Sequence, residues 1–251
     1  MFKKLADSFV LQVPLTLLIY IFYGLILGLS LFPSGYLITS VIQRYGSPFT
    51  DTMGSEIIKG LFIICLAAGV GVFLFFITGL IVMGAIIRIL SLGIKPGSYS
   101  IASGTMLRWL IFSGIYTMAV TLILPVIPMT FFSQLFFRII GAKIGKNCQI
   151  NTGMLNDAYL LEIGDNVIVG GQTDISCHIF ENNKLILKPV KIGSGTMIGA
   201  HCYISPGVTI GRNCLIGLNS YIRKDKTIPD NTRLTSVGAV KFRTAGKLEK
   251  E

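Results

Sequence analysis

From Ile192 onward isoleucine returns at every sixth position, at 192, 198, 204, 210, 216, 222 and 228. Glycine follows it at 193, 199, 211 and 217, and the fifth place of successive rungs holds Thr196, Cys202, Val208, Cys214 and Ser220, all small. This spacing matches neither the roughly 3.6-residue turn of a helix nor the alternation of an ordinary strand. It is the period of a hexapeptide parallel β-helix, in which each rung is a brief strand and a turn, and three rungs close one triangular coil. Coils stacked at about 4.8 Å would set isoleucine over isoleucine in a continuous apolar column. Glycine after each isoleucine suits a bend where a side chain would clash or where a positive φ is needed. Known coils of this kind wind left-handed, against the usual right-handed crossover, so the pattern predicts an all-β, left-handed parallel β-helix.

The same period begins near Ile139. Ile144 and Ile150 lead IGKNCQ and INTGML, and after an irregular turn Ile163, Val169 and Ile175 lead IGDNVI, VGGQTD and ISCHIF. The register then breaks at ENNKLILKPVK, Glu181 to Lys191, before the regular column resumes. One β-helix domain is expected over 139–232, followed by a tail, 233–251, as a loop or short capping helix.

Upstream the pattern is different. Val10 to Phe32 and Gly60 to Ile87 carry no charge, and each is long enough for a bilayer, which needs about 20 apolar residues. Two transmembrane helices are predicted, about 10–32 and 60–82, joined by a polar connection over 33–59 that contains Pro33 and Pro48. The first is too long for a cleaved signal peptide and has no A-x-A-like site after it. Trp109 to Phe137 is also uncharged, but Pro125 and Pro128 interrupt it, and proline inside a helix costs about 3 kcal/mol. Residues 104–138 are therefore read as interfacial or re-entrant helices, with a third span as the alternative. Loop charge favours the former. With two spans and the N-terminus inside, Lys3, Lys4, Arg88, Lys95, Arg108, Arg138, Lys143 and Lys146 lie on the cytoplasmic side, against Arg44 and Lys59 outside. A third crossing would balance the two sides and move the β-helix outside.

Composition agrees with a membrane portion: 52% of the 251 residues are hydrophobic and only 14% charged. The net charge of +10 divides evenly about residue 138, with no basic-aromatic stripe, which argues against nucleic acid. It suits an anionic leaflet or anionic phosphates. Cys65, Cys148, Cys177, Cys202 and Cys214 form no CxxC pair, and three of them fill small-residue rung positions. Core packing explains them better than disulfides or zinc, so no metal is expected.

RILSLGIKPGSYSIASGTMLRW, FFRIIGAKIGKNCQI and DISCHIFENN resemble the membrane-linked C-terminal domains of poly-lysine synthetase-type non-ribosomal peptide synthetases, and stand-alone hexapeptide acetyltransferases of the exopolysaccharide kind. The resemblance covers roughly residues 80–232. It implies an acyltransferase that uses acyl-CoA, assembles as a homotrimer, and follows a pair of membrane helices. In the synthetases three such domains stand in tandem and join amino acids. Adenylation and carrier segments are missing from these residues, so the acyl donor is expected from outside, as acyl-CoA or from a partner carrier protein.

The chemistry narrows to few side chains. Acyl transfer from a thioester to a hydroxyl or amine needs a base, and imidazole titrates near neutrality. The two histidines are His178 and His201. His178, at the root of the Glu181 excursion, matches the family's H-x-F-E element and is the expected general base; a surface histidine at a turn is the alternative. His201, in the fourth place of IGAHCY, reads as a rim or structural residue. Glu181 is a candidate to orient the imidazole or bind substrate. Arg212, Arg223 and Lys224 could meet nucleotide phosphates, with Asn219 and Asp174 as weaker candidates; a solvated basic face explains the cations nearly as well. The expected function is transfer of an acyl group from acyl-CoA to a membrane-associated glycan or lipid at the inner membrane. An amide-forming module acting with a separate synthetase, and a non-catalytic membrane scaffold, are the alternatives.

Overall fold

The structure is a computed structural model that describes residues 9–45, 55–234 and 243–244. Lys3, Lys4 and most of the expected tail after Leu234 lie outside the described residues. The chain divides into two compact units between Met83 and Gly84.

The first unit holds helix α1, Phe9–Tyr45, and most of helix α2, Ser55–Ser91, each of 37 residues. Helix α1 does not stop at Phe32 but runs through Pro33, so the connection begins later than the polar residues suggest. Those polar residues are satisfied inside the helix. Ser30 donates to the carbonyl of Ile26, Thr39 to that of Gly35 and Ser40 to that of Tyr36. Hydroxyls folded back in this way put no unmet donor into an apolar surround. Ser34 instead donates across to the carbonyl of Gly71 at 2.5 Å.

Three described helical segments are long and apolar enough to cross a membrane: Ile19–Arg44, Ile57–Ser91 and Gly104–Val126, with mean hydropathies of 1.8, 2.7 and 1.9. The third differs from the others in being 44% buried within the protein. It comprises helix α3, Gly104–Leu122, capped by Ser103 whose hydroxyl accepts from the amide of Met106, and a short 3-10 turn, Leu124–Val126. Pro125 sits in that turn, and helix α4, Phe131–Ile140, follows Pro128. The prolines thus separate two helices rather than kinking one. Helix α4 ends at Gly141, whose φ of 116° and close contact with the Arg88 guanidinium leave no room for a side chain.

From Lys143 the chain forms three parallel sheets. The first contains Lys143–Ile144, Leu161–Ile163, Val190–Ile192, Thr209–Ile210 and Thr227–Ile228. The second contains Gln149–Ile150, Ile168–Val169, Met197–Ile198, Leu215–Ile216 and Thr232–Leu234, with Arg243–Thr244 added antiparallel at its edge. Leu155–Asn156, Asp174–Ser176, Tyr203–Ile204 and Tyr221–Ile222 make the third. Parallel register sets Ile192 beside Ile210 and Ile210 beside Ile228, so the column predicted from the period is continuous and buried. In the second sheet the last rung sets Leu234 beside Ile216.

Each place of the six has one job. Glycine in second place lies where successive coils touch: a Cβ on Gly193 would sit 2.5 Å from the backbone of Gly211, and one on Gly199 would sit 2.6 Å from Leu218 N. The positive φ falls instead on the fourth place, at Asn147, Asn166, Gln172, Gly195, His201, Gly207, Asn213, Asn219 and Asp225, mostly residues that tolerate the left-handed region. At Thr196, Cys202 and Cys214 the small fifth place caps a carbonyl of the neighbouring coil. Thr196 Oγ1 donates to Gly211 O at 2.8 Å, and Cys214 Sγ to Pro229 O at 3.1 Å.

Candidate active site

Two departures from the six-residue rhythm occur at one corner, where the chain passes from the third sheet to the first. Asp157 and the 3-10 turn Ala158–Leu160 fill the earlier one. The later one is a hairpin, His178–Glu181 paired antiparallel with Lys184–Leu187 through a turn at Asn182 and Asn183. The strand Gly97–Ser100, from the loop after α2, pairs with Lys184–Leu187 on its other side. The excursion read from the sequence is therefore the middle of a three-stranded antiparallel sheet.

His178 opens this hairpin and meets Asp157 from the coil below. Its Nδ1 lies 2.5 Å from Asp157 Oδ2, and Asp157 is 1% exposed. A buried carboxylate at Nδ1 selects the tautomer with the proton there, which leaves Nε2 unprotonated. The imidazole is partly exposed, at 24%. Asp157 Oδ1 accepts the indole N–H of Trp109 at 2.7 Å. The indole also packs edge-on to the imidazole, with centroids 4.8 Å apart, and to Phe180 at 5.4 Å.

Helix α3 supplies this grip because Trp109, Phe112 and Tyr116 recur on one face. All three are buried. Tyr116 donates its hydroxyl to Gly153 O at 2.7 Å and accepts from Leu155 N at 2.9 Å. Phe112 meets Tyr159 edge-on, with centroids 5.5 Å apart. The turn that bears Asp157 is thus held at three points by one helix.

Other candidates are distributed. Glu181 does not reach the imidazole; its carboxylate pairs with Lys224 at 2.5 Å. Lys188, on the return of the hairpin, pairs with Asp225 at 2.6 Å. The two pairs tie the hairpin to the turn after Ile222, which also carries Arg223, exposed. Arg212 belongs to another corner, where Asp230 accepts its amide. It lines, with Lys143 and Lys191, a cavity of about 470 Å³ along the first sheet. Asn219 and His201 stand at the remaining corner, both in the left-handed fourth place and exposed. The six proposed site residues therefore form no single cluster: His178, Glu181 and the turn of Arg223 and Lys224 share one corner, and Arg212 and Asn219 occupy the other two.

Asp174, on the strand leading to the hairpin, accepts from Asn156 Nδ2 at 2.8 Å. Burial raises its carboxyl above the usual range, with Asn156 and His178 pulling it back. Cys177 beside it is buried, and burial followed by the Asp157 charge holds its thiol protonated. Among the described residues no group of His, Cys, Asp and Glu is arranged to hold a metal ion. The sequence reading missed Asp157 and gave Trp109 only an interfacial role. The one signal available was a carboxylate standing in the irregular turn of an otherwise apolar run, MLNDAYLL.

Residues 189–224 match the family described as bacterial transferase hexapeptide, six repeats. The chain is 36% identical over 96 residues to galactoside O-acetyltransferase of Escherichia coli strain K12, covering 35% of this chain and 46% of that protein. It is 28% identical over 105 residues to delta-poly-L-ornithine synthetase of Acinetobacter baumannii strain AB307-0294, covering 42% of this chain and 7% of that protein. The chain thus spans less than half the length of either relative. Among solved structures, a galactoside acetyltransferase in complex with coenzyme A is similar with a TM-score of 0.44 and 21% identity, over 61% of this chain and 88% of that one. A hexapeptide-repeat acetyltransferase of Vibrio cholerae O1 biovar eltor, complexed with acetyl coenzyme A, gives 0.41 and 18%, over 60% and 93%.

Proposed function

We propose that this hexapeptide-repeat chain is a membrane-bound acetyltransferase, moving an acetyl group from acetyl-CoA to a hydroxyl or amine of a membrane-associated glycan or lipid, with His178 as general base. The observation that carries the reading is the buried Asp157 at Nδ1 of His178, on a corner where the coil opens into a hairpin. An imidazole oriented by a buried carboxylate, with its other nitrogen available, is the recurring arrangement for activating a nucleophile. Similarity to a galactoside O-acetyltransferase supports the acetyl donor and a hydroxyl acceptor.

Bound acetyl-CoA would supply the activated thioester. Nε2 of His178 takes the proton as the acceptor's oxygen or nitrogen bonds to the acetyl carbon. It returns that proton to the sulfur when the carbon–sulfur bond breaks. Asp157 stabilises the imidazolium between these events, and Trp109 fixes Asp157. Arg212, along the first sheet, is suited to phosphates, beside Lys143 and Lys191, which Glu162 already meets. Arg223, Lys224 and Asn219 stand as further candidates from neighbouring protomers of a left-handed homotrimer.

The reading places two spans in the inner membrane, helix α3 at its inner face, and the β-helix in the cytoplasm. The burial of one face of α3 within its own unit supports an interfacial position. Similarity to the poly-ornithine synthetase favours a second reading, in which the donor is a carrier-bound aminoacyl thioester and an amide forms. The deciding experiment incubates the purified full chain with acetyl-CoA and lipid and glycan extracts, following free thiol and acetylated products by mass spectrometry. Product formation that depends on His178 supports the reading. No release of CoA above buffer with any extract would overturn it.

A further inference from the structure

Every carboxylate of the described β-domain except Asp174 is met by a Lys, by backbone N–H or, for Asp157, by the ring nitrogens of His178 and Trp109. Glu162 meets Lys143 and Lys191, Glu181 meets Lys224, and Asp225 meets Lys188. Asp165 and Asp230 accept from the amides of Lys146 and Arg212, and Asp157 serves His178 and Trp109. Asp174 alone has only a neutral amide, that of Asn156.

Its surroundings are specific. Asp174 stands on the outer face of the third sheet, four residues before His178, close enough for the imidazole to act on its titration. In parallel register Tyr203 lies beside it, and Tyr221 beside Tyr203. The two phenol rings stack with centroids 5.5 Å apart at 26°. Both remain open to solvent, Tyr203 at 36% and Tyr221 at 60% exposure. A half-buried anion lacking a cation, continued by stacked ring faces, is a receptor for positive charge: the carboxylate takes the N–H donors and the rings take the charge. A neutral hydroxyl would satisfy the hydrogen bond but leave the under-solvated charge uncompensated.

We propose that Asp174, Tyr203 and Tyr221 form a subsite for a protonated amine carried by the acceptor, so that the acceptor is an amino sugar or another amine-bearing molecule and not a neutral glycan. This rests on the reading of His178 as the base only in calling the bound molecule the acceptor.

The test measures binding of glucosamine and of glucose to the full chain in detergent by saturation-transfer NMR and calorimetry, with acetyl-CoA binding measured in parallel. Wild type should bind glucosamine at least about tenfold more tightly than glucose. Asp174→Asn should erase that preference while still binding acetyl-CoA. Should that variant fail to fold, Tyr221→Leu, at an exposed position, should weaken glucosamine about threefold or more with no change for glucose. Equal affinity for the two sugars, or a preference that survives both substitutions, overturns the subsite. Loss of acetyl-CoA binding in wild type with the amine preference intact removes the transfer reading and leaves the subsite standing.

Discussion

Trp109 donates its indole N–H to one carboxylate oxygen of Asp157 at 2.7 Å and leaves the other for His178. The indole lies on an apolar helix and the imidazole at the root of the hairpin, so the proposed base is set by a contact between residues 48 apart in the chain, Trp109 and Asp157. Trp109→Phe keeps a ring against His178 and Phe180 but removes the donor. It should lower kcat about tenfold, the worth of a hydrogen bond to a charged group, with KM for acetyl-CoA unchanged in steady-state assays of CoA release.

His178→Ala removes the proposed base itself. Turnover should fall about 10²- to 10⁴-fold while acetyl-CoA binding persists by calorimetry. Asp157→Asn should cost at least about tenfold in kcat, because the amide can neither stabilise imidazolium nor fix the tautomer.

Asp174 offers a test by pH. Burial holds its carboxyl above the ordinary value of 3.8, so across the window above that value the native chain binds more protons than the unfolded one. The stability it contributes is present at low pH and is lost as pH rises through the raised value. Asp174→Asn should therefore flatten the melting temperature against pH in the weakly acidic range, with no loss at neutrality, as measured by thermal unfolding in detergent.

The corners of the coil give a paired prediction. Gly193→Ala would place a carbon 2.5 Å from the Gly211 backbone and should abolish cooperative unfolding of the β-domain. Asn213→Gly, at φ 52°, should change stability by less than about 1 kcal/mol, since glycine adopts that conformation freely. Circular dichroism melts of the two variants provide the check.

Lys224→Ala and Lys188→Ala release the hairpin from the turn beneath it. Both pairs are largely solvated, so each should cost less than about 1 kcal/mol. Hydrogen exchange at Phe180 to Leu185 should nonetheless accelerate.

The isoleucine column could be read from the chain because a stacked coil repeats along one axis: Ile192, Ile210 and Ile228 pair in register with the coils above and below. The break at Glu181 was legible for the same reason. The role of Glu181 was not. Adjacency to His178 suggested an orienting carboxylate, yet residues three apart on a strand point to opposite faces, and Glu181 turns to Lys224. Asp157 escaped because its turn has no period, and Trp109 because its contact spans two kinds of secondary structure. The helix through Pro33 was hidden by hydroxyls that look polar in sequence but bond within their own helix.

The strand Gly97–Ser100 has a practical outcome for anyone dissecting this molecule. Because it forms the border of the antiparallel sheet that carries His178, a fragment trimmed to the repeats alone would lose that border and the indole together. Residues 139–234 could still wind into stable coils, yet such a piece should be well folded and catalytically silent, so solubility gained by shortening would come at the expense of the very chemistry being sought.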